Sequence, residues 1–520
     1  MTMHRRDVMR GIGALPPLLL LGDRLQAAEL AKPVFADAGT AKDFCETVLK
    51  AAKSAGADYV DVRLIRTREQ SLYARNNRLA ELADDLSAGF GVRCLYRGAW
   101  GFASSSIVSP ESAQTTAQLA VEIAKASARS VVEPVVLVTE PVHATGKYIT
   151  PRVVDPFGIP LAKKAEILLT ANAQMQKIPE VKVAFGQMLF IQTDKYFASS
   201  EGSFIQIDGL ISTAELTANA AGNNDQQSRT YEIFPRHAGW EYIEQGNFGA
   251  QAERVAQEAK LKLTAQASPQ GKYDLVLDGS NLFLTIHESV GHATELDRVL
   301  GYEADYAGTS FATTDKLGNF KYGSQYVNLV ADNLYPEGLA STGFDDDGVA
   351  CQRWDIVKEG TLVGYSTNRE VAAKINQTRS RGSSRAQGWD AIPIVRIANV
   401  GLAPGSGTPA ELIKDVKDGI YIEGNGTFSI DQRRLNFQFG GDMFYRIRNG
   451  EKAEVLKDVV YRGVTPQFWG SCDGVAGAEY WKPYGVLNCG KGQPAQSGRM
   501  THGAAPARFR QIDVAPGRNS

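Results

Sequence analysis

Apolar positions first recur at helical spacing, over residues 41–55, with Phe44, Val48 and Ala51/Ala52 on one face and Gly56 as the stop. The period then drops to two. Tyr59-Val60-Asp61-Val62-Arg63-Leu64-Ile65 alternates as a strand, and strand-like runs follow at 70–74 and 89–96. Ser109-Pro110-Glu111 predicts a capped helix running to about Ser127. Pro134, Pro141, Pro151, Pro156 and Pro160 mark a connecting stretch. Beyond it, 161–177 and 249–263 read as helices around strand-like runs at 181–193, 195–207 and 211–220. From Tyr273 onward, short strands separated by Gly and Asn turns dominate. The patterning predicts an α+β chain. An N-terminal α/β unit over 40–132 and a central α+β segment over 133–270, continuing the first as one layer, precede a β-rich antiparallel sheet or barrel over 272–515, which carries one apolar helix.

That helix holds the densest chemistry, in SNLFLTIHESVGHATELD from Ser280 to Asp297. Leu282, Phe283, Leu284 and Ile286 make its start apolar on most sides, so it is expected to be buried, with Gly279-Ser280 as the N-cap. Of only six histidines, two stand five residues apart, His287 and His292, with Glu288 beside the first. Neutral imidazole is a favoured zinc ligand, and a carboxylate beside such a metal is the usual general base of a hydrolase. In a regular helix, positions i and i+5 point roughly 140° apart. To share one ion, the backbone must therefore widen or end between them. A π-bulge would bring the rings together, and Gly291 would ease the distortion. The bland alternative is an ordinary helix with one buried and one surface histidine. Glu295 and Asp297 could orient the histidines, or Glu295 could be a direct ligand. A catalytic metal needs roughly three protein ligands and an open position. For the third, spacing leaves Cys489, Cys472 and His502 open, while His237 is a weak candidate in an expected polar loop.

Charge and composition narrow the function classes. The 520 residues carry a formal charge of −2, which gives no electrostatic case for nucleic acid. Five cysteines do not make a disulfide framework. His4-Arg5-Arg6-Asp7, a short apolar run and Ala27-Ala28 predict a twin-arginine signal over 1–28, hence export to the periplasm. The apolar run is too short for a stable membrane span. Trp100 and Phe102 read as core, and the acidic turn Gly343-Phe344-Asp345-Asp346-Asp347-Gly348 as solvated.

HESVGHATELD resembles the HE(A/S)VGH–x–x–E–x–D signature of the TldD/PmbA family of metallopeptidases. The resemblance extends to 87–106 (SAGFGVRCLYRGAWGFASSS), SSEG at 199–202, the acidic turn, Ser383 to Gly388, Arg396 to Asn399, and Cys489-Gly490-Lys491-Gly492-Gln493. The last is one residue shorter than the family's commoner CGKDGQ. The resemblance implies a zinc peptidase in which His287, His292 and Cys489 hold one zinc ion and Glu288 is the general base. It also implies a homodimer, or a heterodimer with a paralogue, whose enclosed site admits unfolded or short peptides as an added strand. Two other readings stay open: a metal-binding maturation factor or chaperone-like partner that does not cleave, and a structural metal module closed by a fourth ligand.

Overall fold

The computed structural model describes residues 37–222 and 224–517, so the twin-arginine segment lies outside the described residues. The structure is α+β with largely antiparallel sheets. Strands β1 (Tyr59–Arg75), β2 (Arg78–Tyr96), β3 (Ala99–Ser105), β4 (Gly146–Ile149), β5 (Val181–Ser199), β6 (Phe204–Gly222) and β7 (Asp225–His237) form one sheet. Its order is β3-β2-β1-β5-β6, with β4 and β7 sharing the outer edge of β6. The α/β unit expected at 40–132 and the α+β segment expected to continue it at 133–270 share this one sheet. The short runs seen in the sequence at 70–74 and 89–96 belong to strands of 17 and 19 residues.

Helices α1 (Ala38–Ser54) and α2 (Pro110–Ser127) cover one end of this sheet. Asp37 caps α1 through a capping box with Thr40, and Ser109 caps α2 ahead of Pro110. Ala41, Phe44, Cys45 and Val48 pack with Val60, Val62 and Leu64 of β1. Helices α3 (Leu161–Met175) and α4 (Phe248–Lys262) cover the other end.

The opposite face of β1 meets the C-terminal half through buried charge. Arg93 of β2 donates to Asp61 Oδ2 at 2.7 and 2.9 Å and to Asp347 Oδ1 at 2.7 Å. Arg63 donates to the Ala391 carbonyl at 2.8 Å. Lys195 pairs with Asp346 at 2.8 Å, and Arg369 with Glu201 of the SSEG turn at 2.7 Å. The acidic turn is therefore not solvated: Asp345, Asp346 and Asp347 are 2–5% exposed. A sequence rich in carboxylates reads as surface, but here Asp346 and Asp347 find cations in another layer of the fold, while Asp345 accepts from the Asp347, Val349 and Ser384 amides at 2.9 Å. Trp100 and Phe102 are half-buried at the same junction, with the Arg93 guanidinium 4.4 Å from the Trp100 ring centroid.

The C-terminal half centres on β8 (Gly271–Leu277), inside a ten-stranded sheet. Ala507–Pro516 flanks it antiparallel and Asp418–Glu423 flanks it parallel, so the sheet is mixed rather than purely antiparallel. A separate hairpin, β9 (Lys482–Lys491) and β10 (Gln496–Ala504), closes over the helix that follows β8.

Candidate metal centre

Helix α5 (Gly279–Ile286) springs from the end of β8. Its N-cap is Asp278, one position earlier than expected, and the carboxylate accepts from the Ser280 amide at 2.9 Å. Leu282, Phe283 and Ile286 are buried, and Asn281 pins the first turn by donating to the Gly424 and Gly440 carbonyls at 2.8 Å. The backbone then widens to a π-turn over His287–Gly291, in which the His292 amide donates to the His287 carbonyl. The two imidazoles stand 4.9 Å apart, centroid to centroid. Gly291 has ordinary right-handed torsions, φ −51° and ψ −66°. Its glycine is required by packing instead, since a Cβ there would come 2.9 Å from Ile397 Cγ2. The helix ends at Glu295, which turns extended, and the Leu296 amide donates to the Ser366 carbonyl at 3.0 Å.

Cys489 reaches this turn from β9. The β9–β10 register slips by one residue between Val486 and Cys489, and such a bulge re-aims the side chains beyond it. The ligand atoms of His287, His292 and Cys489 then lie within 4.8 Å of one another, and all three residues are buried. Ligands of a tetrahedral zinc sit roughly 3.5 Å apart, so small side-chain movements would close this set around an ion.

Hydrogen bonds orient both histidines. His502 Nδ1 lies 2.9 Å from the Val400 carbonyl, which can only accept, so that nitrogen carries the proton. His502 Nε2 is then an acceptor, and His287 Nδ1 donates to it at 2.8 Å. His287 is left with a free lone pair on Nε2. Burial pushes both His287 and His502 toward the neutral form. His292 Nδ1 donates to Glu295 Oε2 at 2.7 Å, which leaves Nε2 facing Cys489 Sγ at 3.3 Å. Burial alone would raise the Glu295 carboxyl, yet Lys491, His292 and Arg396 hold it well below the usual range. Lys491 lies 3.2 Å from Glu295 and 2.6 Å from Asp297, so both acidic residues of the motif orient neighbours from behind the histidines.

Cys489 is 4% exposed, and burial opposes its ionisation. His292 and Arg396 outweigh that and lower its pKa. Arg396 donates to Cys489 Sγ at 3.1 Å and is fully buried. Glu288, 6% exposed, accepts a short hydrogen bond from Arg434. Burial pushes its carboxyl up, but His287, His292 and Arg434 hold it below the ordinary glutamate value. It therefore stays ionised, as a proton acceptor must be.

Sequence reasoning missed Arg396, Arg434 and Lys491 as members of the site. Arg396 and Lys491 lie inside stretches that carry the family resemblance, but nothing local marks Arg434. His502 was foreseen only as a rival ligand, and its ring is engaged with His287 and Val400 instead. Cys472 lies outside the cluster, on a strand paired with Phe509, and burial pushes its thiol up to about 12. His237 is not in a polar loop: it ends β7 and is 3% exposed.

Comparison with known proteins points to one family. Residues 270–515 match the PmbA/TldA metallopeptidase C-terminal domain, and residues 60–124 match PmbA/TldA metallopeptidase domain 1. A metalloprotease of Methanocaldococcus jannaschii is 29% identical over 78% of this chain and 87% of its own. A zinc metalloprotease TldD homolog of Saccharolobus solfataricus is 22% identical over 80% of this chain and 88% of its own. TldE from Thermococcus kodakarensis shares the fold, with a TM-score of 0.68 at 17% identity over 91% of this chain and 100% of its own. A Thermotoga maritima protein described as a modulator of a DNA gyrase aligns with a TM-score of 0.72 at 19% identity, over 91% of this chain and 100% of its own. With the His/His/Cys cluster seated inside the longer matched segment, this chain carries domains of the PmbA/TldD metallopeptidase family.

Proposed function

We propose that this chain is a zinc-dependent peptidase acting on unfolded or short peptides. The carrying observation is the convergence of His287, His292 and Cys489, each histidine tied at Nδ1 so that its Nε2 is the nitrogen left for a metal. Two imidazole nitrogens and a thiol held toward its thiolate suit zinc, and leave a fourth position open. When bound, zinc supplies a Lewis acid that polarises a peptide carbonyl and makes water more acidic. Glu288 takes the proton of the attacking water and passes it to the leaving amine. Arg434 keeps Glu288 ionised and orients it. His502 and Glu295 hold the two imidazoles in the ligating tautomer. By likeness to the family, the active form is a dimer with an enclosed site. From the twin-arginine motif we infer export to the periplasm, and recovery of only uncleaved cytoplasmic chain would refute that inference.

The test measures zinc content and hydrolysis of an unfolded peptide in wild type, Glu288→Gln and Cys489→Ala. Wild type should hold about one zinc per chain. Glu288→Gln should keep it while losing hydrolysis by about 10²–10⁴-fold. Cys489→Ala should lose both. Zinc without new peptide termini in wild type would favour the non-cleaving partner instead, and an active Glu288→Gln would sink the mechanism.

A further inference from the structure

A cavity of about 390 Å³ lies between the N-terminal sheet and the C-terminal half. That is within the range of small-ligand sites, roughly 300–1,000 Å³. Ile65, Ile191, Ile207 and Ile211 give it an apolar floor, and Arg385, Arg396 and Arg499 line the facing side. The positive charge is poorly compensated. Lys195 and Asp346 neutralise one another at 2.8 Å, and Asp390 is exposed. Among the described residues, Arg385 donates only to the neutral carbonyls of Arg499 and Ile397, with Cys489 and Asp346 acting on it from beyond ion-pair contact. Arg499 makes no side-chain hydrogen bond or ion pair among the described residues, and Glu69 on β1 acts on it only from beyond ion-pair contact. His237 lines the same cavity, 3% exposed, with Nδ1 unpartnered. The ring also bonds the Ser341 carbonyl, so in its neutral form the unpartnered Nδ1 carries a lone pair turned to this cationic wall and donates to nothing. Burial, Arg499 and Arg385 together push the His237 imidazole down to about 3, as expected beside an unneutralised positive wall.

The cavity adjoins the metal centre. Arg396 lines it and also donates to Cys489 Sγ. Gly498 lines it too, and pairs with Cys489 across the hairpin. A Cβ on Gly498 would stand 2.6 Å from Arg396 Cζ, so glycine there lets the guanidinium reach the thiol.

We propose that this cavity is a subsite for a carboxylate of the peptide substrate, bound by Arg499 and Arg385 beside the metal centre. This deepens the peptidase reading and rests on it for the word substrate, but not for the binding itself. A carboxylate matches the fork of a guanidinium. The apolar floor would take the neighbouring side chain. The consequence is selectivity for peptides whose free C-terminus, or an acidic side chain, lies near the scissile bond.

The experiment measures binding separately from cleavage. The full mature chain carrying Glu288→Gln is loaded with zinc, and fluorescent peptides are titrated by anisotropy. One pair shares a sequence without acidic residues and ends in a free carboxylate or a carboxamide. A second pair, both amidated, carries Glu or Gln near the C-terminus. In at least one pair the carboxylate should bind about tenfold or more tighter, and Arg499→Met should bring that ratio close to one. The pair showing the effect identifies the source. Equal binding within both pairs would overturn the subsite, as would a preference untouched by Arg499→Met. The acid–amide comparison in the Arg499-intact protein, together with Arg499→Gln, keeps the test decisive if the methionine variant misfolds. Carboxylate preference in a chain that cleaves nothing would leave the subsite standing and remove the peptidase reading.

Discussion

At the scale of single residues, the centre depends on where protons sit. The Val400 carbonyl fixes His502, and His502 fixes His287. Replacing His502 by Phe keeps the bulk and removes the acceptor. Zinc affinity should fall by about 10–100-fold, read by chelator competition, with the fold retained by circular dichroism. Affinity equal to wild type would show that His287 needs no such partner. The sequence displayed both histidines of the pair but not this relay, because His502 lies 215 residues from His287. Arg434 and Glu288 are separated by 146 residues, and Arg434 sits in the turn between the paired strands Phe428–Ile430 and Asn436–Phe439.

At the scale of elements, the π-turn is the device that makes a five-residue spacing useful, and its tight packing on Ile397 is testable. Gly291→Ala should destabilise the protein by about 1–3 kcal/mol, seen as a lower melting temperature. Adding Ile397→Val should return part of that loss, and no recovery would refute the packing account. A second element-level effect lies in the β6–β7 pair, where Glu215 faces Glu232 directly. Burial, then Glu215, pushes the Glu232 carboxyl up to about 8 from an ordinary 4.5. The folded chain thus holds a proton that the unfolded chain has released. Stability should fall as pH rises from about 4.5 to 8, and Glu232→Gln should flatten that slope in melts at pH 5 and pH 8. A slope unchanged by the substitution would assign it to other groups.

At the scale of the whole molecule, the two halves are joined by buried ion pairs. Arg93 serves Asp61 from its own sheet and Asp347 from the C-terminal half. Arg93→Met would strand both carboxylates, so a loss of about 3–5 kcal/mol is expected in denaturant unfolding. A loss below about 1 kcal/mol would mean that water or other cations reach them. The junction also walls the cavity beside Cys489, so the halves must dock before the site is complete.

The hydrophobic periodicity by itself determined the α+β class, the four helices that cover the N-terminal sheet, and the buried apolar helix that carries the histidines. These follow from local rules of spacing, capping and turn chemistry. His287, Glu288 and His292 were legible because a histidine pair is rare in this chain and its spacing has a geometric consequence. Cys489 was legible only through family resemblance, since spacing could not rank it above Cys472. Tertiary structure alone decided the rest. It set the one-residue slip that aims Cys489 and made the guanidinium of Arg396 its neighbour. It gave Asp346 and Asp347 partners in another layer, and faced His237 with Arg385 and Arg499. A buried charge or tautomer is fixed by what surrounds it in space, and those neighbours come from segments hundreds of residues away.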